Sequence, residues 1–359
     1  MTESMNPVQD LSISGLVDWL LTHNQRQSQQ FRSPDASSLR HQYRAVHPTE
    51  ILVLKCMDGR LNFPPMTNTP LGILQPIRNL GGIFDLGWPY LGEVVTDWVN
   101  YAMEKGRDCM IFVTYHWSKG DKHRGCRGFN YDVEEARKYT GRLKQQIERM
   151  YGAGHSTVYP IVCGVETDLD ALVLHGEHDE VMDLAGALNL TEGDLKIKLR
   201  QLFPTMRPKI LNDLLPIVLG NIAHIAEIRA AQRPVFDAEH RERVLGIGRG
   251  FDWLHWLNLA LIVGPFDPDL VKPIKTAAAL LAGNIKEGRI RPDGIVLLAS
   301  APYREEAGFD VPRAIEKARF LSRFSLDIIQ QEVPELRELV VPLVGIVNMN
   351  TREFTRLEK

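Results

Sequence analysis

The fold class this sequence predicts is α/β. Two pseudo-repeated halves are expected, each a mostly parallel sheet flanked by helices, with a helical segment ahead of the first. Three observations carry that expectation. Short, continuous apolar runs alternate with amphipathic stretches, the pattern of strands buried on both faces and joined by crossover helices. At 359 residues the chain is longer than one ordinary core. And the two halves repeat one another in order and spacing, which fixes an architecture more firmly than any single element.

Residues 16–43 read as one or two helices broken near Ser33-Pro34, because Leu16, Trp19 and Leu20 share a helical face. Residues 50–54 (EILVL) read as the first buried strand, and residues 72–77 as a short strand inside a loop rich in Pro, Asn and Gly. A helix over 91–105, a strand over 110–115, a charged helix over 133–150 and a strand over 156–165 complete the first half. Residues 167–233 look mainly helical, with Pro204 and Pro208 as breakers. The alternation then resumes: strands over 244–247 and 259–264, a helix over 269–287, a strand over 294–300, a helix over 312–331 and a last strand over 339–347. This divides the chain into a helical arm (1–48), a first α/β half (49–176), a helical connector (177–240) and a second half (241–359).

The repeat can be followed residue by residue. DCMIFVTYH (108–116) aligns with DGIVLLASA (293–301), so His116 falls opposite Ala301. Gly128-Phe129 and Asp132-Val133 match Gly308-Phe309 and Asp310-Val311, and Ala136-Arg137 matches Ala318-Arg319. VYPIVCGV (158–165) matches VVPLVGIV (340–347).

Composition excludes several classes. A net charge of −3 leaves no general field to draw nucleic acid. No run of about 18 apolar residues is evident, so no membrane span is expected, and the first fifteen residues lack the form of a signal peptide. Four cysteines in such a chain are too few for a disulfide scaffold and suit a reducing cytoplasm.

The halves differ where chemistry would sit. Cys56-Met-Asp-Gly-Arg60 ends the first strand of the first half, whereas Gly248-Arg-Gly-Phe-Asp252 stands near that place in the second. His116 ends another strand of the first half, and Cys126 follows in a basic, glycine-rich loop. Ligands of open α/β sheets bind at carboxyl ends of strands. Two thiolates and an imidazole suit Zn2+ in an open site with water in the fourth position. Cys109 and Cys163, inside buried strands, are expected to be small core residues. The basic cluster Lys119, Lys122, His123, Arg124 and Arg127 is expected to be a solvated loop.

CMDGR followed by IRNLGG (77–82), and then a strand ending in His ahead of a Cys, resembles the β-class carbonic anhydrases. The likeness spans roughly residues 49–131. A working half paired with a degenerate one resembles the carboxysome-shell branch, in which two β-type halves in one chain imitate the usual dimer. The family's His-x-x-Cys can be read in two ways here. His123 keeps the spacing to Cys126, while His116 keeps the strand end, with WSKGDKHRG inserted before the Cys. A rigid element holds a ligand better than a loop interior, so His116 is preferred. His123 remains the alternative, or a proton carrier at the mouth.

The resemblance implies zinc-dependent, reversible hydration of carbon dioxide to bicarbonate by zinc-bound hydroxide. Asp58 would orient the nucleophile and Arg60 would hold Asp58 ionised and in place. Arg78 and Asn79 would shape the site wall, and His47 stands near the place of a substrate-contacting Gln. It also implies a homo-oligomer based on a dimer or pseudo-dimer, working in the cytoplasm or within a bacterial microcompartment, with no nucleic acid or membrane partner. Hydrolysis of carbon disulfide or carbonyl sulfide on the same site, and a non-catalytic zinc-stabilised assembly protein, are the alternatives.

Overall fold

The computed structural model describes residues 8–152, 157–232 and 239–358. The first residues of the chain, Ser156 and Arg233, on which parts of the sequence reading fall, lie outside them. The chain forms two compact units, one of residues 38–238 and one that joins residues 1–37 to 239–359.

The strands of the first unit are β1 (Glu50–Cys56), β2 (Leu74–Asn79), β3 (Cys109–Trp117), β4 (Val158–Glu166), β5 (Ala171–His175) and β6 (Val181–Asp183). They form one sheet in the order β2-β1-β3-β4-β5-β6. The first four strands are parallel, and β5 and β6 return antiparallel. The second unit contributes β7 (Val244–Gly248), β8 (Ala260–Val263), β9 (Ile295–Tyr303), β10 (Val340–Asn348) and β11 (Phe354–Arg356), ordered β11-β10-β9-β7-β8. Reversed, this is the path of β2-β1-β3-β4-β5, with β11 antiparallel like β5. The two halves are thus pseudo-repeats in topology as well as in sequence.

The helices are α1 (Ile13–Arg32), α2 (Pro34–Val46), α3 (Phe63–Met66), α4 (Pro89–Glu104), α5 (Val133–Tyr151), α6 (Glu192–Leu202), α7 (Pro208–Ala231), α8 (Val271–Lys286) and α9 (Asp310–Glu332). Ser12 caps α1 through the Gly15 N–H, and Ser33-Pro34 separates α1 from α2, since proline has no N–H to continue a helix. Asp132 caps α5 by accepting from Glu135 N.

The strand registers correct the sequence alignment by one residue. Pro160 of β4 pairs with Ile111 of β3, and Pro342 of β10 pairs with Leu297 of β9. Matching the prolines therefore sets His116 opposite Pro302, not Ala301. Sequence similarity between two apolar runs tolerates a slip of one; a hydrogen-bonded ladder does not. In the corrected register Glu50 matches Arg243 and Arg107 matches Asp293. Glu50–Arg107 and Arg243–Asp293 are both ion pairs, with the charges exchanged between the halves.

Three other expectations change. Residues 167–233 are not mainly helical from the start, because the hairpin β5–β6 precedes α6; short apolar runs such as ALVL do not separate strand from helix by period alone. β11 follows the strand expected to be last. And α7, 24 residues long, does reach the length and apolarity of a membrane span. Here it is a core helix of its unit: Asp213 accepts from Thr49 N, and Asn221 bonds Leu172 N, Met66 O and Asp170 O.

The expected arm and connector are likewise distributed between the units. Leu16 and Leu20 of α1 are buried among Val244, Trp253 and Val296, and Asn24 bonds Arg352 O and Phe354 N. β6, α6 and α7 pack with the first sheet. An amphipathic helix must bury its apolar stripe on some core, and these two cores receive them.

Candidate metal centre

The centre lies at the carboxyl ends of β1 and β3. Cys56 is the last residue of β1 and His116 the last but one of β3, both buried. Cys126 comes from the loop after β3 and is buried as well. One ligand atom from each of the three lies within 4.8 Å of the others. The two sulfurs are 4.0 Å apart.

Glycines bring the Cys126 loop into place. Gly81 has φ +69°, and a Cβ on Gly128 would stand 2.6 Å from the Gly81 Cα, so the two backbones touch. Gly82, at φ +65°, lies against Thr114 O and Cys56 N, where a Cβ would be only 3.0 Å and 3.4 Å away. Only glycine combines the left-handed conformation with this approach. Asn79 holds the same turn by donating from Nδ2 to Ile83 O at 2.9 Å.

The root of the loop is tied by carboxylates that sequence reading did not single out. Asp168 accepts from Ser118 Oγ at 2.7 Å and from Gly120 N at 2.8 Å. Glu166, buried at the end of β4, accepts from Asp168 N at 3.0 Å. Burial raises the Glu166 carboxyl above its ordinary range. The acidic Glu166-Thr-Asp168 run after a buried strand is the one signal that could have found them.

Asp58 and Arg60 form a two-pronged pair inside the protein. Arg60 Nε donates to Asp58 Oδ1 at 3.0 Å and its NH2 donates to Oδ2 at 2.6 Å. The Arg60 backbone N–H adds a third bond to Oδ1 at 2.9 Å, and the same NH2 reaches Arg124 O at 2.6 Å, on the Cys126 loop. Asp58 Oδ2 is 3.9 Å from His116 Nε2. Among the described residues neither ring nitrogen of His116 has a hydrogen-bond partner, although both are buried. A buried imidazole left so is costly unless something else takes its lone pair.

The thiols divide in character. Contact with Cys126 draws the Cys56 thiol well below the ordinary range, with His116 adding to that against the cost of burial. Contact with Cys56, together with burial, pushes Cys126 well above it. Cys109, by contrast, is pushed up to about 12 by burial and the nearby carboxylates, the condition of an inert core thiol. Two sulfurs and an imidazole nitrogen, buried and converging, fit a borderline-soft divalent metal.

The remaining predicted residues lie elsewhere. His123 is exposed in the short turn Lys122–Arg124, its ring edge-on to Tyr131 at 5.1 Å. His47 pairs with Asp213 of α7 at 3.2 Å. Arg78 is buried beside Lys55 in the β1–β2 ladder. In the second half, counting on from the matched strands, Arg249, Phe251 and Trp253 stand where Cys56, Asp58 and Arg60 stand in the first. Phe251 and Trp253 are buried, so apolar rings replace the ion pair.

Fold and site together define an α/β protein of two pseudo-repeated halves, one of which gathers a Cys-His-Cys donor set beside a carboxylate locked to an arginine. Residues 49–193 match the family model of the carboxysome shell carbonic anhydrase catalytic domain. The chain is 28% identical over 248 residues to the carboxysome shell carbonic anhydrase of Hydrogenovibrio crunogenus, covering 58% of this chain and 46% of that one. It is 25% identical over 243 residues to that of Prochlorococcus marinus subsp. pastoris, again over 58% and 46%. The chain spans less than half the length of these curated relatives. Over residues 49–193 the chain is similar to the carboxysome-shell-type branch of the β-class carbonic anhydrase superfamily.

Proposed function

We propose that the protein catalyses the reversible hydration of carbon dioxide to bicarbonate, with zinc held by Cys56, His116 and Cys126. One observation carries the reading: three convergent soft-to-borderline donors stand beside a carboxylate that Arg60 holds through both oxygens. Three protein ligands are the count of a catalytic zinc site, whereas a structural one takes four. Zinc, when bound, lowers the pKa of water from about 15.7 to about 7 and so makes hydroxide available near neutral pH.

The chain's own residues do the rest. Asp58, which when ionised can accept but not donate, would take the hydrogen bond of the attacking oxygen and aim its lone pair at the substrate carbon. Arg60 donates to both carboxylate oxygens, which fixes the orientation of Asp58 and favours its charged form. Two thiolates offset a divalent charge, and Asp58 offsets Arg60. That balance suits an uncharged gas as substrate and lets an anionic product leave. The names of the relatives set them at the carboxysome shell, and the proposal extends to this chain the same microcompartment location and a homo-oligomeric state.

Metal analysis and stopped-flow carbon dioxide hydration on one sample test the reading. About one zinc per chain with rapid hydration is expected. Fully zinc-loaded protein that does not hydrate carbon dioxide overturns it.

A further inference from the structure

The half without metal ligands holds a pocket of about 590 Å³ between α9 and the β10–β11 edge. Arg319 and Arg323 of α9 and Arg356 at the end of β11 stand around it, and Ser322, Val344 and Leu357 are among its lining. Its size lies within the range of small-molecule sites, about 300–1,000 Å³. Arg319 is paired with Glu316 at 3.3 Å on the exposed face of α9. Arg323 and Arg356 have no carboxylate partner among the described residues, and Glu358 is the one acidic side chain of the lining.

The repeat shows that this basic set belongs to the second half alone. With Ala136-Arg137 matched to Ala318-Arg319, Arg319 corresponds to Arg137, which pairs with Glu134 in the same way. Arg323, however, stands where the first half has Gly141. In the proline-matched register Gly345 pairs with Arg356 and Cys163 with Leu174, so Arg356 replaces Leu174. Two positions that are uncharged in the half with the donor cluster have become arginine in the half without it, and both face one cavity.

We infer that this pocket binds a small organic anion, a carboxylate or phosphate ester carried on a compact apolar body. Guanidinium groups take such oxyanions in two-pronged fashion, and the apolar lining from Val344 and Leu357 selects against a bare, hydrated ion. The Ser322 hydroxyl supplies a further donor on the helix side. This inference stands whether or not the other half hydrates carbon dioxide.

Isothermal titration of the full chain with phenyl phosphate, benzoate and inorganic phosphate tests it. Saturable binding of phenyl phosphate or benzoate at least tenfold tighter than inorganic phosphate is expected, and whichever of the two binds tighter identifies the anionic group. The Arg323→Gln/Arg356→Gln protein should weaken that binding at least tenfold while melting normally and keeping its metal content. If the double variant does not fold, Arg323→Gln alone should weaken binding severalfold. No saturable binding of either organic probe overturns the inference, as does undiminished binding in a folded variant.

Discussion

Arg60 grips Asp58 through both carboxylate oxygens and, with the same NH2, through the backbone carbonyl of Arg124. One guanidinium thus joins the loop after β1 to the loop that carries Cys126. Asp58→Asn keeps the shape but exchanges one of the two acceptor oxygens for an NH2 donor and removes the charge. It should leave zinc content at the wild-type level and lower the hydration rate about 10- to 100-fold, the usual cost of a partner beside a metal ligand. Metal analysis and stopped-flow on the same preparation read both, and an unchanged rate refutes the orienting role. Arg60→Gln leaves a buried carboxylate without its partner and should cost about 3–5 kcal/mol of stability by urea denaturation.

Gly128 and Gly81 make a backbone contact that no larger residue permits. In Gly128→Ala the new Cβ would meet Gly81 Cα at 2.6 Å, so the two segments must part. The expected cost is about 1–3 kcal/mol of stability. Because the segment that moves begins at Cys126, metal affinity should fall by about tenfold or more in competition with a chromogenic chelator. Wild-type affinity would show that the glycine contact does not set the Cys126 position.

His116 and His123 separate cleanly in metal content. His116 lies with both sulfurs inside one 4.8 Å cluster, and its ring nitrogens have no hydrogen-bond partner among the described residues. His123 is exposed and packed on Tyr131. His116→Ala should lose zinc, and His123→Ala should retain it. Loss in the second variant alone overturns the assignment.

Much of this was legible in the sequence because buried parallel strands write themselves as continuous apolar runs. EILVLKC and CMIFVTYHW announce β1 and β3, and therefore the strand ends at which Cys56 and His116 stand. What stayed hidden depends on contacts between distant segments. ALVLH is short enough to read either way, and it is a strand because Val165 and Glu166 offer it an antiparallel edge. The Gly81–Gly128 approach and the clamp of Asp168 on Ser118 join residues some fifty positions apart. The one-residue slip in the repeat arose because apolar side chains resemble one another, whereas the ladder hydrogen bonds and the exchanged pairs Glu50–Arg107 and Arg243–Asp293 do not.

Those two pairs should differ in worth. Arg243 is fully buried and, besides Asp293, donates to Gly294 O and Gln9 O, so it ties the chain ahead of α1 to the second sheet. Arg107 keeps 28% of its side-chain exposure. Arg243→Met should cost about 1–3 kcal/mol, because it leaves buried carbonyls unpaired, while Asp293 keeps the Ile13 N–H and Arg291. Arg107→Met should cost about 0–1 kcal/mol. Equal losses in urea denaturation would mean that the buried bonds add nothing beyond the ion pair.

His23 gives the second unit a pH dependence whose sign follows from its surroundings. Its ring stacks on Trp19 at 4.5 Å and lies edge-on to Trp256, and its Nε2 is buried with no hydrogen-bond partner among the described residues. Burial lowers its pKa below the ordinary histidine value, opposed by a backbone hydrogen bond involving Trp253 and assisted by the charge of Arg26. The folded state therefore binds this proton less readily than the unfolded chain. Its contribution to stability is complete above the unfolded pKa and is lost as pH falls from there toward the lowered folded value. The melting temperature of the wild-type protein should drop between about pH 7 and pH 5.5, partly on this account, around the unperturbed value of about 6.5. His23→Phe keeps a ring against Trp19 but cannot take a proton, so its melting temperature should fall less steeply over that interval. His175, whose pKa is also lowered by burial, retains its own share in both proteins, which makes the difference between the two slopes the quantity to measure. Identical slopes would show that His23 stays neutral, or stays charged, in both the folded and the unfolded states.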